Sequence, residues 1–392
     1  MNEIMVKKLV EKYPTPMYVF DINRLNERIK LLSTILTDKI KICYAMKANP
    51  FIISSLKSQV TCFEVCSPGE LRICQKEQIA PKQLVVSGVY KTPEVIDELI
   101  GSHLSVRAYT VESLNQFSLL EQCAKKHQQI TPMLIRLTSG NQFGLDKEEV
   151  LQLLQETKSN PYIEVFGIQY FSGTQKYSLK KLTKEVKFLE EFLNEITDQT
   201  GIKIHNLEFG PGLPVTYFKE DNFNESNHLV EFSKLLQTIN YPATITLELG
   251  RSIAASCGYY LTKVVDTKTN NNQNYAIVDG GINHLVYYGQ SMAMKHPLMD
   301  IYPARNKQNE INWNICGALC TVNDILVKQL PISNLQIGDL LVFRQTGAYC
   351  MMEGISLFLS RDLPMIIRVN PDNSFICIRD SVRTDLLNRA IQ

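Results

Sequence analysis

The strongest constraint on the fold is a regular alternation of strand-like and helix-like segments over the first two-thirds of the chain. Amphipathic stretches separate the strand-like runs; residues 181–201, for example, carry apolar side chains at helical spacing and end in glycine. Eight strands alternating with helices predict a (β/α)8 barrel, since a doubly wound sheet, the alternative, usually has fewer strands. The eight runs are IKICYA (40–45), TCFEVC (61–66), LVVS (84–87), LSVRAYT (104–110), PMLIRLT (132–138), VFGIQYF (165–171), IHNLEF (204–209) and ATITLEL (243–249).

The pattern changes after about residue 255. Strand-like runs with polar turns and little helix follow, which predicts a second, all-β domain. We therefore expect a barrel over residues 22–255 and a β-sandwich or β-barrel domain built from residues 1–21 and 256–392. The strand-like segment TPMYVFD (15–21) either returns to that β domain or leads into the barrel.

Composition excludes several classes of protein. The 392 residues carry a formal net charge of +1, which gives no electrostatic case for nucleic acid or a membrane surface as a partner. The amino-terminal MNEIMVKKLVEKY lacks the apolar region of a signal peptide, and no 18-residue apolar run predicts a membrane span. The ten cysteines are scattered, which favours free thiols in a reducing cytoplasm, and their spacing predicts no metal site.

Chemically distinctive side chains follow several of the predicted strands. Because active residues of a barrel lie at the carboxyl ends of its strands, Lys47 in YAMKANP is a candidate, although an isolated lysine there is more often a surface residue. A desolvated lysine can form a Schiff base with an aldehyde cofactor, and Glu64 can then set the proton balance. Glu248 lies in the apolar run TITLELG and needs a partner, either a protonated pyridine nitrogen or Arg251.

Two glycine-containing turns follow the sixth and seventh predicted strands. They read FSGTQ (171–175) and EFGPGLP (208–214), and such turns let backbone N–H groups approach a phosphate, although glycine also caps helices. In the predicted β domain, CGALCTVND (316–324) and TGAYC (346–350) stand out. Cys320 is either a reactive thiol or an inert one, and Tyr349 is either a ligand contact or a core aromatic.

These motifs together resemble a known family. YAMKANP, FEVCSPGEL, SGTQ, FGPG, ELGRS, CGALC and GAY occur in order and at matching spacing, from about Thr15 to about Val369. They resemble the fold-type III decarboxylases that depend on pyridoxal 5'-phosphate (PLP), the group of diaminopimelate, ornithine and arginine decarboxylases. The resemblance implies an alanine racemase-like fold, PLP as cofactor, decarboxylation of an amino acid or aminoacyl group, and a homodimer whose subunits share their active sites.

The resemblance also implies roles for individual residues. Lys47 would hold PLP as a Schiff base, and Cys320 would reach the neighbouring subunit's site and help to reprotonate the product. Phe171 stands where the family has a histidine that stacks on the cofactor, and Pro211 replaces a glycine and so removes one backbone donor. The cofactor contacts implied are Lys47, Glu64, Phe171, Thr174, Gly210, Gly212, Glu248, Gly250, Arg251 and Tyr349.

Departures from the family pattern bear on the substrate. Diaminopimelate decarboxylases carry a glutamate directly after the reactive cysteine, where this chain has Thr321, and an arginine that residues 278–290 lack. Three features instead resemble the branch that decarboxylates an aminoacyl group on an acyl carrier protein. They are the Cys–Thr pair, the DGGxxH run ending at His284 and LFLSRDLP (357–364). We predict that His284, Tyr288 and Thr321 contact the substrate.

Three other functions remain open at this point. One is diaminopimelate decarboxylase itself, in lysine biosynthesis. Another is an amino-acid racemase, although racemases of this fold place an arginine rather than Glu248 at the pyridine nitrogen. The third is a catalytically silent PLP-binding regulator, which would be expected to lose Lys47 or the phosphate turns.

Overall fold

The computed structural model describes residues 1–37, 39–306 and 308–390, and the chain divides into two compact units. The barrel unit consists of Ile29–Pro214 and Asn224–Ile253, and the β unit consists of Met1–Arg28, Val215–Phe223 and Ala254–Gln392. The sequence placed the division at residues 22 and 255, whereas here residues 22–28 and 215–223 group with the β unit.

The described residues form seventeen strands: β1 (Met17–Asp21), β2 (Ile40–Ala45), β3 (Cys62–Val65), β4 (Leu84–Val86), β5 (Ala108–Val111), β6 (Thr131–Leu137), β7 (Ile163–Phe171), β8 (Asn206–Gly210), β9 (Thr244–Leu249), β10 (Gly258–Asn270), β11 (Gln273–Val278), β12 (Met299–Tyr302), β13 (Ile311–Cys316), β14 (Ile325–Ile332), β15 (Leu340–Arg344), β16 (Met365–Val369) and β17 (Phe375–Arg379).

The same residues form eleven α-helices: α1 (Glu3–Lys12), α2 (Ile22–Leu36), α3 (Ile53–Leu56), α4 (Pro68–Lys76), α5 (Pro93–Gly101), α6 (Leu114–His127), α7 (Lys147–Thr157), α8 (Leu179–Thr200), α9 (Glu225–Leu236), α10 (Arg251–Ala254) and α11 (Asp385–Asn388). None of them is long and apolar enough to cross a membrane.

Strands β2 to β9 form a closed parallel barrel in chain order, which confirms the predicted fold class. The strands are short apolar runs that are buried on both faces, as parallel strands covered by helices require. One layer of the barrel interior contains small and medium side chains from five successive strands, all without solvent exposure: Cys43, Cys62, Val85, Ala108 and Leu134. The interior is therefore a packed core, and the loops after the strands are left to carry the site.

The β unit is built on a nine-stranded sheet. Its main path runs β14-β13-β11-β10-β1-β16-β17, and β15 pairs with both β10 and β12. Strand β1 lies between β10 and β16, antiparallel to the first and parallel to the second. The segment 15–21 therefore returns to the β unit, where Met17 and Val19 belong to a buried cluster with residues of α1, β10, β15 and β16.

Candidate active site

Lys47 follows β2 in a short 3-10 turn, Met46–Ala48, at the carboxyl end of the barrel strands. Its Nζ lies 2.7 Å from Glu64 Oε2 and 3.4 Å from Glu248 Oε1. The Lys47 side chain is 43% exposed, whereas those of Glu64 and Glu248 are only 3% and 9% exposed. The structure thus brings together one accessible amine and two buried acids, three residues that the sequence placed on or just after three different strands.

The pKa values of the two acids are shifted in opposite directions. Burial is the largest single influence on Glu64 and opposes its ionisation, but the Lys47 ammonium, a hydrogen bond with Glu248 and the charge of Arg136 together outweigh burial and lower the pKa of Glu64 to about 2. Burial, and next to it the negative charge of Glu64, raises the pKa of Glu248 to about 8. One ammonium cannot neutralise two desolvated carboxylates, so Glu64 is the ionised partner of Lys47 and Glu248 holds a proton near neutral pH.

The two predicted glycine turns lie against each other. Lys176 N donates to Gly212 O across 2.9 Å, and a Cβ on Gly212, whose φ is +61°, would lie 2.0 Å from Gly173 O. A Cβ on Gly210 would lie 2.6 Å from the Phe171 ring. Gly212 therefore requires glycine, and a side chain at Gly210 would displace the Phe171 ring.

A cation and a hydroxyl complete this part of the barrel unit. Arg251 Nε donates to Thr174 Oγ1 across 3.2 Å, and Arg251 is only 6% exposed. Glycine turns, a hydroxyl and a buried guanidinium form a donor set that suits a phosphate group. Together with Lys47 and Glu248, these residues fit a phosphorylated aldehyde with a basic ring nitrogen.

A buried ion pair that the sequence analysis missed ties the first turn to α8. Lys176 Nζ lies 2.7 Å from Glu185 Oε2 and 2.6 Å from Ser172 Oγ, and Ser172 also donates to Glu185. Desolvation lowers the pKa of Lys176, but a 4% exposed lysine that contacts a carboxylate is stabilised as the ammonium. The pair fixes the backbone of the turn that carries Thr174.

The sequence analysis also missed two polar side chains in the barrel interior, Gln169 and Glu208. Gln169 Nε2 lies 3.3 Å from Glu248 Oε2 and 3.1 Å from Glu208 Oε1. A signal for both was present, because each stands two residues before a predicted site residue, Phe171 or Gly210, and strand positions two apart share a face.

Cys43, Cys62 and Glu208 form a group of potential metal ligands, whose ligand atoms lie within 4.8 Å of one another. Burial raises the pKa of the Cys43 thiol and of the Glu208 carboxyl well above their usual ranges. Protonated thiols are poor metal ligands, so we interpret this group as part of the packed barrel core.

The remaining predicted residues lie in the β unit. Cys320 is exposed and Thr321 half-buried, in a turn that Asp324 organises by accepting from Leu319 N at 2.7 Å. Tyr288 is 45% exposed, and Tyr349 is half-buried with φ of +66°.

His284 is only 3% exposed, and both of its ring nitrogens have protein partners. The Tyr260 hydroxyl lies 3.2 Å from Nδ1, and Asp362 O lies 2.9 Å from Nε2. Its predicted contact with substrate would require one of these hydrogen bonds to break.

Comparison with known proteins gives a consistent result. Residues 22–255 match the family described as "Pyridoxal-dependent decarboxylase, pyridoxal binding domain". Diaminopimelate decarboxylase from Aquifex aeolicus is 28% identical over 364 residues, which cover 88% of this chain and 84% of that protein. The L-glutamyl-[BtrI acyl-carrier protein] decarboxylase of Niallia circulans is 23% identical over 425 residues, covering 100% of this chain and 97% of that protein.

A solved structure from Aquifex aeolicus superposes with a TM-score of 0.85 at 27% sequence identity. The superposition covers 97% of this chain and 93% of the Aquifex aeolicus chain. The likeness extends over both units and agrees with the closed barrel followed by a mostly β unit.

Proposed function

Because the chain belongs to the pyridoxal-dependent decarboxylases, we propose that it removes the α-carboxyl group from an aminoacyl group carried on an acyl carrier protein. The observation that carries the decarboxylase chemistry is the arrangement of Lys47 beside the two buried acids Glu64 and Glu248. A racemase of this fold would have an arginine where Glu248 lies, so the acid favours decarboxylation over racemisation.

PLP is the cofactor of this family, and the residues of the barrel unit fit it. Lys47 would hold PLP covalently through Nζ, and the Glu248 carboxylate would pair with the protonated ring nitrogen. The phosphate would be bound by Thr174, Gly212 and Arg251. Phe171 offers an aromatic face but no hydrogen bond. Bound PLP supplies the electron sink that accepts the electron pair left behind when CO2 departs.

Three side chains of the protein would accept, hold or donate the protons of the reaction. Glu64, at 2.7 Å from Lys47 Nζ, is placed to take up and return a proton at that nitrogen. Glu248 as a carboxylate would keep a proton on the ring nitrogen, which strengthens the sink. Cys320, from the neighbouring subunit, would donate a proton to the α-carbon after CO2 has left, and the thiolate would regain a proton from solvent, which balances the reaction.

The preference for a carrier-linked substrate rests on the residues after the reactive cysteine and in the 278–290 segment. Thr321 has no charge with which to bind a distal ammonium group, and no arginine in 278–290 is available for a distal carboxylate. The full-length relative from Niallia circulans acts on a glutamyl group attached to a carrier protein. Free diaminopimelate, the substrate of the Aquifex aeolicus relative, is the second candidate.

Replacement of Lys47 tests the cofactor assignment. Purified protein should show a visible absorbance band from bound PLP, and the band should be absent in Lys47→Ala, because Lys47 is the amine that contacts both acids among the described residues. Lys41→Ala is the matched control, since Lys41 is an exposed lysine on β2, the strand that Lys47 follows. A band that persists in Lys47→Ala would contradict the assignment.

Measurement of CO2 release tests the substrate. Free amino acids, including diaminopimelate and glutamate, should be compared with the same groups loaded on acyl carrier proteins. We expect faster release from a carrier-bound aminoacyl group. Rapid turnover of free diaminopimelate, with none from the carrier-bound groups, would replace our proposal with the second candidate.

A further inference from the structure

A line of hydrogen-bonded side chains runs from the Lys47 site into the barrel interior. Gln169 uses one amide nitrogen for two contacts, with Glu248 Oε2 at 3.3 Å and Glu208 Oε1 at 3.1 Å. Gln169 is 1% exposed and Glu208 is 2% exposed, so water does not compete for either contact. Glu248, the acid assigned to the cofactor's ring nitrogen, is thus joined through one amide to a second buried acid.

The barrel strands fix this line of side chains. Gln169 on β7 is the register partner of Glu208 on β8, and Glu208 in turn pairs with Thr246 on β9. Glu248 lies two residues beyond Thr246 and therefore on the same face of β9. The three side chains are held by neighbouring strands rather than by loops, which gives the contact a rigid support.

The surroundings of Glu208 favour its neutral form. Burial raises the pKa of Glu208 well above its usual range, and neighbouring Cys62, Glu248 and Glu64 act in the same direction. An ionised Glu208 would put a further negative charge beside Glu248 and compete with it for the Gln169 amide. A neutral Glu208 accepts one N–H and leaves the other to Glu248.

In the described part of the chain, Lys47 Nζ and the Gln169 amide donate to Glu248, and Glu248 also shares a hydrogen bond with Glu64 that requires a proton on one of the two acids. Lys47 is committed to the cofactor in the proposed function, which leaves Gln169 as the group that orients the Glu248 carboxylate. We propose that Glu208 is a neutral positioning residue that holds the Gln169 amide against Glu248 and so fixes the carboxylate that faces the cofactor. This inference rests on the proposed role of Glu248.

The test uses cofactor affinity, measured by titrating PLP into the cofactor-free protein and following the visible band. Gln169→Leu and Glu208→Leu should each weaken PLP binding roughly tenfold, the effect of one lost hydrogen bond to a charged group. Glu208→Gln should restore wild-type affinity, because it keeps a neutral group of the same size that can accept from Gln169. Thr110→Val is the matched control, since it removes a buried 2.7 Å hydrogen bond to Ser87 elsewhere in the barrel unit.

The pH dependence of the bound cofactor's spectrum gives a second readout, which tests whether Glu208 is neutral. The titratable groups around the line are Lys47, Glu64, Arg136, Glu248, Cys43 and Cys62. Glu208→Gln should leave the midpoint of the spectral transition in place, because a neutral group replaces a neutral group. A midpoint shifted to lower pH in Glu208→Gln would show that Glu208 is ionised and would overturn the inference.

Glu248→Gln separates failure of this inference from failure of the proposed function. If Glu248→Gln leaves affinity and spectrum unchanged, the assignment of Glu248 to the cofactor is wrong. If Glu248→Gln alters them while Gln169→Leu does not, only the positioning role is wrong. Should Glu208→Leu fail to fold, Gln169→Leu and Glu208→Gln still decide between these outcomes.

Discussion

The residue that most shapes the chemistry of the site is Glu248. The protein buries this acid although the nearby Lys47 ammonium already has Glu64 as its carboxylate partner. Burial and the charge of Glu64 raise the pKa of Glu248 to about 8, so the cofactor-free protein keeps a proton there near neutral pH. The site is thereby prepared for a ligand with a basic nitrogen, because such a ligand lets Glu248 ionise without leaving an unpaired buried charge.

The raised pKa of Glu248 makes the stability of the cofactor-free protein depend on pH. The folded state keeps this proton up to about pH 8, whereas the unfolded chain releases it near its ordinary value of 4.5, so the free energy of unfolding falls as pH rises between the two. Glu248→Gln cannot ionise, so between pH 5 and pH 8 we expect its free energy of unfolding to fall less than that of the unchanged cofactor-free protein, by on the order of 3 kcal/mol.

Denaturant unfolding of both cofactor-free proteins at the two pH values measures this difference. The lowered pKa of Glu64 contributes in the opposite sense, with stability that is present above pH 4.5 and lost as pH falls toward 2, which is below both pH values compared. An identical pH dependence for Glu248→Gln and the unchanged protein would mean that Glu248 is already ionised at pH 5.

A second prediction at this scale concerns Cys320, which is exposed in the β unit. Cys320→Ala should slow turnover while the visible band of PLP remains, because the thiol is expected to supply a proton rather than to bind the cofactor. Cys316→Ala, four residues earlier in the same motif, is the control and should retain turnover. Loss of PLP from Cys320→Ala would show that the cysteine is structural instead.

At the scale of elements, the close contact between the two glycine turns is the feature most sensitive to substitution. Gly212→Ala introduces a Cβ that would lie 2.0 Å from Gly173 O, so the turns must separate. We expect at least a roughly tenfold loss of PLP affinity, since the groups assigned to the phosphate lie on these turns.

Gly201 provides a matched control for this substitution. It has a similar positive φ of +69°, at the end of α8, but a Cβ there would meet nothing within 4 Å. Gly201→Ala should cost about 1 kcal/mol of stability from its backbone conformation and leave PLP affinity unchanged. Equal loss of affinity in both variants would mean that the effect comes from general destabilisation.

Elements with strong apolar runs were predictable from the sequence, but the side-chain contacts between those elements were not. IKICYA matches β2 residue for residue, but the run 104–110 was placed too early, because β5 begins at Ala108 and Leu104 is 47% exposed. Lys47, Glu64 and Glu248 could be identified because each follows or interrupts an apolar run. Gln169 and Glu208 share a strand face with predicted site residues, but their contacts with each other and with Glu248, like the Lys176–Glu185 pair, depend on which strands and helices become neighbours, which local sequence does not encode.

At the scale of the whole molecule, both compact units have a place in the proposed reaction. The barrel unit contains Lys47 and the residues assigned to PLP, whereas Cys320 and Thr321 belong to the β unit. The resemblance to the family implies that Cys320 serves the site of the neighbouring subunit. We therefore propose a homodimer with shared active sites, in which a separated subunit lacks the proton donor.

Mixing of two variants with impaired turnover tests this arrangement. In a dimer of one Lys47→Ala and one Cys320→Ala subunit, one site contains both defects and the other contains neither. A one-to-one mixture allowed to exchange subunits should regain about a quarter of the unmodified activity, because half of the dimers are mixed and each has one intact site. Lys47→Ala mixed with Glu248→Gln is the control and should regain nothing, since both residues belong to the same barrel. If neither mixture regains activity although sedimentation shows mixed dimers, each subunit builds its site alone.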